Sequence, residues 1–300
     1  MDLSLAAMLL RRGELVAIPT ETVYGLAANA LDAAAVEKIF AAKGRPRTSP
    51  LIVHVDSIGM ARSLAADWPP AAEALARRFW PGPLTLVVRK RAAIPDIATA
   101  GLPTVALRMP AHPIALELIR ACGFPLAAPS ANPFTELSPT TAEHVRQALG
   151  DRVAMVVDGG ACPVGIESAV VSVAGATPVL LRPGSISRER IEEVVGPLGE
   201  FVSTGGADPS PGMHRRHYSP RTPLYLGDPP PEGRGVWLYR ERAREGGIRM
   251  PSDAEGYAAR LYETLRELDL RGADWIAVEP PPDEPEWEAV RDRLTRAAER

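Results

Sequence analysis

The sequence predicts an α/β protein built on a sheet of seven or more strands, followed by a small second α/β unit. Three observations carry this prediction. Short apolar runs alternate with amphipathic segments over the first 200 residues; a Pro/Gly/Ser-rich stretch occupies residues 205–221; and a fresh βα pattern begins after it. A chain of 300 residues suits one large domain or two ordinary ones.

The strands are read at Leu15–Pro19, Pro50–Val55, Leu84–Val88, Val105–Met109, Leu126–Ala128, Val153–Val157, Ala169–Val173 and Val179–Leu181. Asp32–Lys43 reads as a helix: Asp32 is an N-cap, Val36, Ile39 and Phe40 make one face, and Gly44 is the stop. Ala71–Phe79, His112–Ala121 and Thr141–Leu149 are further helices. The opening MDLSLAAMLLRRGE has no basic region ahead of its apolar part, so it reads as a helix and not as a signal peptide. Residues 205–221 lack any apolar period and form a linker or a functional lid. Beyond them Leu224–Leu226, Val236–Tyr239 and Trp275–Val278 read as strands, and Tyr257–Leu268 and Trp287–Ala298 as helices. The predicted division is 1–204, a linker at 205–221, and a second domain at 222–300.

Composition narrows the function classes. Hydrophobic content of 46% and charged content of 24% are those of a globular protein, and no run approaches a membrane span. A net charge of −3 argues against coating nucleic acid by bulk electrostatics, so any anion site must be a local cluster. Cys122 and Cys162 stand alone without CxxC spacing, which fits a reducing cytoplasm. Lysine occurs only at 38, 43 and 90, which singles out Lys43 within AAKGRPRTSPLIVHV.

Familiar catalytic motifs fail on inspection. GACPVG at 160–165 has the two-glycine spacing of a phosphate loop, but Ile166-Glu167 stands where Lys and Ser/Thr are required. His214 and His217 sit three residues apart in a polar linker without companion ligands, so a zinc site is disfavoured. There is no GxSxG. What remains is a set of polar residues at strand ends, where open α/β sheets place ligands. They are Thr20-Glu21-Thr22, Lys43 and Arg45, His54, Arg108, Ser130 and Asn132, Glu167-Ser168, and Arg182. Singly, each has a bland alternative: strand-end Thr, Ser and Asn are usually turn formers, His54 fits a core histidine, and the basic cluster fits a solvated turn. Arg108 is harder to dismiss, because a guanidinium inside an apolar strand needs an anion or solvent. The residues alone predict several cations near strand ends, suited to a small polyanionic ligand.

Taken in order, PTETVYGLAANA (19–30), KGRP (43–46), PLIVHV (50–55), PGPLT (81–85), ALRMP (106–110), APSAN (128–132), ESAVVSV (167–173) and LLRPG (180–184) resemble the YrdC-like family. SPGMHRRHYSP (210–220) resembles the linker of its two-domain members, the L-threonylcarbamoyladenylate synthases. The resemblance spans nearly the whole chain and is weakest in the second domain. It implies a twisted mixed parallel/antiparallel sheet around a deep basic cavity, with a small Rossmann-like C-terminal domain. It further implies synthesis of threonylcarbamoyl-AMP and pyrophosphate from L-threonine, bicarbonate and ATP. Mg²⁺ would enter with ATP, with no metal ligands from side chains and no organic cofactor. A partner tRNA threonylcarbamoyltransferase complex would use the product in the cytoplasm, with tRNA contact here indirect or weak and no membrane involved.

Matched position by position, the resemblance implies a catalytic, ATP-phosphate set of Lys43, Arg45, Ser130 and Asn132. Ser49, Thr104, Ser138, Arg182 and Tyr218 match further ATP contacts, and Thr22, His54, Arg108, the Ala128 backbone and Ser168 match the threonine subsite. Two rivals differ in class. An RNA-binding module would spread basic residues with aromatic platforms, against 5% aromatics here. A carbamoyl-handling unit of hydrogenase maturation would sit in a much longer chain. A regulator that only binds AMP-like ligands is a third alternative.

Overall fold

The computed structural model describes residues 2–201, 210, 212, 216–228, 230 and 232–299. His214 and most of 205–215 therefore lie outside the described residues. In chain order the first unit contains α1 (Leu3–Arg11), β1 (Val16–Ile18), β2 (Gly25–Asn29), α2 (Ala33–Lys43), β3 (Ile52–His54), α3 (Ile58–Leu64), α4 (Pro70–Phe79) and β4 (Leu84–Arg89). It continues with β5 (Thr104–Arg108), α5 (Pro113–Cys122), β6 (Leu126–Ala127), α6 (Ala142–Leu149), β7 (Met155–Val156), β8 (Ala169–Ser172), β9 (Val179–Arg182) and α7 (Arg188–Val195). The strands form one nine-stranded sheet in the order β7-β1-β2-β6-β3-β5-β4-β8-β9. It is mixed: β1/β7, β3/β5 and β4/β8 run parallel, while the other neighbours run antiparallel.

Every strand read from the sequence is present, with ends that match or shift by one or two residues. The α2 prediction holds in detail: the Asp32 carboxylate accepts from the amides of Ala34 and Ala35, and Gly44 turns the chain at φ 62°. Three helices and strands of the first unit were missed. β2 is GLAAN, made of residue types poor in strands, yet it is paired on both sides by β1 and β6. Its small residues are needed: a Cβ on Gly25 would stand 3.2 Å from the Ala128 Cβ. The α3 segment is too short, and the α7 segment both short and charge-rich, for their period to stand out.

The period-2 alternation of strands divides the sheet into two faces. Leu51, Val53, Val55, Val105 and Leu107 join the main core, which packs against α2, α3, α4, α6 and α7. On the opposite face α1 and α5 cover Val16, Ile18, Ala27 and Leu126. Farther along that same face, over β3, β5, β4, β8 and β9, only a small cluster of Ile52, Val87, Ala106, Val170 and Leu181 is buried. The candidate site opens there. A register irregularity between Val170 and Val171 interrupts the β8/β9 pairing. It lets the consecutive residues Leu181 and Arg182 both serve this face, while Leu180 stays in the main core.

The second unit holds β10 (Leu224–Leu226), β11 (Gly235–Tyr239), β12 (Ile248–Arg249), α8 (Ala254–Leu270), β13 (Trp275–Val278) and α9 (Glu288–Ala298). Its strands run parallel in the order β10-β13-β11-β12. Its core takes in Val23, Leu137 and Ile166 of the first unit, so the two units share apolar packing. Among the described residues no helix is long and apolar enough to cross a membrane.

Candidate active site

A cavity lies on the uncovered part of the sheet, and strand geometry explains its lining. In the parallel β3/β5 pair His54 stands opposite Arg108, and Ile52 opposite Ala106. Alternation therefore sends His54 and Arg108 to the cavity side while Val53 and Leu107 enter the core. Thr20 and Thr22 follow β1, Ala128 and Ser130 follow β6, Glu167 precedes β8, and Arg182 ends β9; all of these line the cavity with Arg45. Gly212, His217 and Tyr218 from the linker stretch line it as well. They leave a free volume of only ≈ 40 Å³, well under the ~300 Å³ of ordinary small-molecule pockets.

Three arginines face this space, each held differently. Arg45 donates to the carbonyl of Pro50 at 2.9 Å and to the Ser49 backbone and hydroxyl, and its guanidinium lies 5.6 Å from the Phe134 ring centre. Arg182 donates through Nε to the Ser168 carbonyl at 3.1 Å and through Nη2 to the Ser168 hydroxyl at 3.2 Å. That hydroxyl also meets Thr85 Oγ1 at 2.8 Å. Arg108 donates to Glu21 Oε1 at 2.7 Å and to Thr22 Oγ1 at 2.9 Å, with its Nε buried and unpartnered. Sequence reasoning flagged Arg108 but not Glu21 as its counter-ion. The signal was the adjacency of Glu21 to Thr22; their distance from Arg108 in the chain hid the pairing.

His54 is 2% exposed and both ring nitrogens lack partners. Burial, reinforced by the Arg108 charge, pulls its pKa down to about 3. The imidazole is therefore neutral at physiological pH and offers one donor and one acceptor to the cavity. Because the folded-state pKa lies below the ordinary 6.5, the unfolded chain takes up this proton first on acidification. The stability tied to His54 is complete above pH 6.5 and is lost as the pH falls toward 3. At about pH 4.5 the loss from this group reaches about 2–3 kcal/mol. Urea unfolding from pH 7 to 4.5 should thus show a flatter profile for His54→Gln than for the parent; identical slopes would contradict the assignment. His144 and His217, also lowered by burial, add loss of the same sign to both proteins.

The remaining predicted residues are not all at the surface of the cavity. The buried Lys43 Nζ donates to the carbonyls of Ser130 and Asn132, tying α2 to the APSAN loop from behind. Burial, then the nearby Arg45 charge, holds its pKa well below the ordinary lysine value. Asn132 is 1% exposed; its amide donates to the carbonyls of Pro133 and Glu136, and its Oδ1 is unpartnered. Ser138 is buried and donates to Glu167 Oε1. Ala128 uses its N–H on the Ile52 carbonyl at 3.0 Å, so the carbonyl is the backbone group it can turn to a ligand. Thr104 begins β5, four residues from Arg108 and opposite Arg89. At ~3.3 Å per residue that puts it ~13 Å from the Arg108 end of the strand.

Glu167 was noted only as a strand-end residue, yet it is the hub of the site. Its Oε2 accepts from the Tyr262 hydroxyl at 3.0 Å and from Arg293 Nε at 3.0 Å, both from the second unit. Burial alone would raise its pKa, but the charges of Arg293 and Arg182 and the Ser138 hydroxyl outweigh it and hold the carboxyl below its ordinary value. Among the described residues no group of three His, Cys, Asp or Glu is arranged to hold a metal ion.

A sheet face with a polar cavity, lined also by a linker that leads into a parallel α/β second unit, defines a YrdC-like protein of two parts. The family model described as telomere recombination, that of Sua5, YciO and YrdC, matches residues 8–184. The model of the threonylcarbamoyl-AMP synthase C-terminal domain matches residues 186–299. The threonylcarbamoyl-AMP synthase of Bacillus subtilis is 44% identical over 98% of this chain and 92% of that protein. The Pyrococcus abyssi protein of the same name is 41% identical over 98% of this chain and 93% of its own length. A crystal structure of P. abyssi Sua5 complexed with L-threonine superposes with a TM-score of 0.93 at 40% identity, covering 99% of this chain and 94% of that one. The chain belongs to the threonylcarbamoyl-AMP synthase family of enzymes.

Proposed function

We propose that this chain condenses L-threonine, bicarbonate and ATP into L-threonylcarbamoyl-AMP, releasing pyrophosphate and water. The product serves modification of tRNA beside the anticodon, through a separate threonylcarbamoyltransferase complex in the cytoplasm. The observation that carries this reading is the cavity with Arg45 and Arg182 on one flank and Arg108 beside the unpartnered, neutral His54 on the other. One cavity thus offers cations for a triphosphate and a separate guanidinium for an amino-acid carboxylate.

In this reading residues 1–204 carry the chemistry, 205–221 close over it and 222–300 support the closure. Arg108, Thr22, His54, the Ala128 carbonyl and Ser168 form the threonine subsite. Arg45, Ser49, Ser130, Ser138, Arg182 and Tyr218 serve ATP, with Lys43 and Asn132 setting the APSAN loop and Thr104 at the periphery. The neutral amine of threonine captures CO₂ from bicarbonate to give a carbamate. A carbamate oxygen attacks the α-phosphorus, and the bond to the bridging oxygen of pyrophosphate breaks. Positioning and charge neutralisation supply the acceleration; no side chain forms a covalent intermediate. Mg²⁺ would enter as the counter-ion of the triphosphate, while the Glu167 carboxylate is engaged by Ser138, Tyr262 and Arg293. Gly212, His217 and Tyr218 must withdraw to admit ATP and then return, which keeps water from the carbamate and the mixed anhydride.

The test is direct. Purified protein given threonine, bicarbonate, Mg²⁺ and α-labelled ATP should release pyrophosphate and form a labelled adenylate, each dependent on both threonine and bicarbonate. Release that ignores threonine, or none, would sink the proposal.

A further inference from the structure

The last helix reaches the cavity through one side chain. Arg293, on α9, is 1% exposed and points out of the second unit into the joint with the first. Its Nε donates to Glu167 Oε2 at 3.0 Å, and Nη2 donates to the carbonyls of Glu167 at 3.3 Å and Pro183 at 3.0 Å. Nη1 is held by the neighbouring Asp292 at 2.7 Å. The guanidinium carbon also stands 5.1 Å from the Tyr218 ring centre. Arg293 therefore touches two cavity-lining residues, Glu167 and Tyr218, that come from different parts of the chain.

The surroundings repeat the pattern. Tyr262 of α8 donates its hydroxyl to the same Glu167 oxygen and stacks on Tyr218 with ring centres 5.9 Å apart. The backbone N–H of His217 donates to the Arg296 carbonyl near the end of α9 at 3.3 Å. Tyr218 has φ 59°, a left-handed conformation that a bulky residue adopts only where its neighbours fix it. An apolar side chain would fill the Arg293 position without the cost of burying a charge. A guanidinium does what an apolar group cannot: its fork grips a carboxylate and two carbonyls while its face meets a ring.

We propose that Arg293 is a positioning residue through which the C-terminal helix seats Tyr218 and Glu167 against the cavity, so that the second unit sets the closed form of the site. This rests on the reading of the cavity as the adenylation site, but the seating itself can be measured without turnover.

The exposed Arg216 lies two residues before Tyr218, so tryptic cleavage after it, followed by mass spectrometry, reports release of this segment. Arg293→Lys keeps the charge and removes the fork. It should be cut there about fivefold faster than the parent. With ATP varied, its KM should rise about tenfold while the KM for threonine stays within about twofold. In a Tyr218→Leu background the same change should add almost nothing to the cleavage rate. Unaltered cleavage in Arg293→Lys, or effects of the two substitutions that simply multiply, would overturn the proposal. A purely structural role would lower the melting temperature and shift both KM values alike. If Arg293→Lys does not fold, Tyr262→Phe deletes only a hydroxyl and should still speed cleavage, by about threefold; an unchanged rate there overturns the proposal equally. Absence of threonine-dependent pyrophosphate release by the parent would defeat the functional reading and leave the cleavage result standing on its own.

Discussion

Arg108→Ala is expected to raise the KM for L-threonine by about 100-fold in pyrophosphate-release assays, with the KM for ATP changing far less. The reason lies in the local charge inventory. Arg108 is 4% exposed, shares Glu21 and Thr22 with one nitrogen, and keeps a buried Nε without a partner. A carboxylate entering beside His54 would meet the remaining donors. The substitution also strands Glu21, whose other oxygen accepts from the Ala111 N–H at 3.0 Å. Leaving one partner of a buried pair alone costs about 3–5 kcal/mol, so the single variant loses stability as well. Arg108→Ala combined with Glu21→Ala separates the two effects: thermal stability recovers in large part and threonine recognition does not. If the double variant regained a normal threonine KM, Arg108 would be a structural ion-pair partner only.

Arg45→Ala is expected to lower adenylate formation by about 1,000-fold or more without unfolding the chain. Arg45 belongs to the loop after α2, where it donates to the Ser49 hydroxyl and to the Pro50 carbonyl, and it lines the cavity. Burial pulls its pKa to about 10, still far above physiological pH, so the guanidinium stays charged. Arg45→Lys retains a point charge but loses the planar fork and should recover only part of the rate. Circular dichroism and thermal melting establish that the fold survives. Full activity in Arg45→Ala would remove this residue from the phosphate site.

Legibility in the sequence followed the range of the interaction. The α2 helix was readable end to end because its cap, its apolar face and its stop are all local. β3 and β5 were readable because they are apolar and bounded by turn residues. β2 was not, since GLAAN owes its strand state to neighbours on both sides and to close backbone approach at Gly25. The site divides the same way. Lys43, Arg45, Ser130 and Asn132 could be named from ordered motifs. Their geometry could not: Lys43 and Asn132 stand behind the cavity lining, bracing it through backbone carbonyls. Pairings such as Arg108 with Glu21, and Glu167 with Arg293, join residues 87 and 126 positions apart. No local pattern encodes a partner at that distance. The weakest part of the sequence reading, the second unit, turned out to supply two of the three side chains that hold Glu167.

The irregular pairing of β8 with β9 places a constraint on chain length. Regular pairing after Val170 would send Leu181 and Arg182 to opposite faces, as alternation demands. Continued in the register of Leu180 with Val171, β9 would set Leu181 opposite Val170 and Arg182 opposite Ala169. The guanidinium now gripping Ser168 would then be turned toward the Ala169 side of the main core. The additional residue in β9 is what returns Arg182 to the cavity face, and many point substitutions there leave it in place. The count of residues in LLRPG is thus as much a part of the cavity as the arginine it contains.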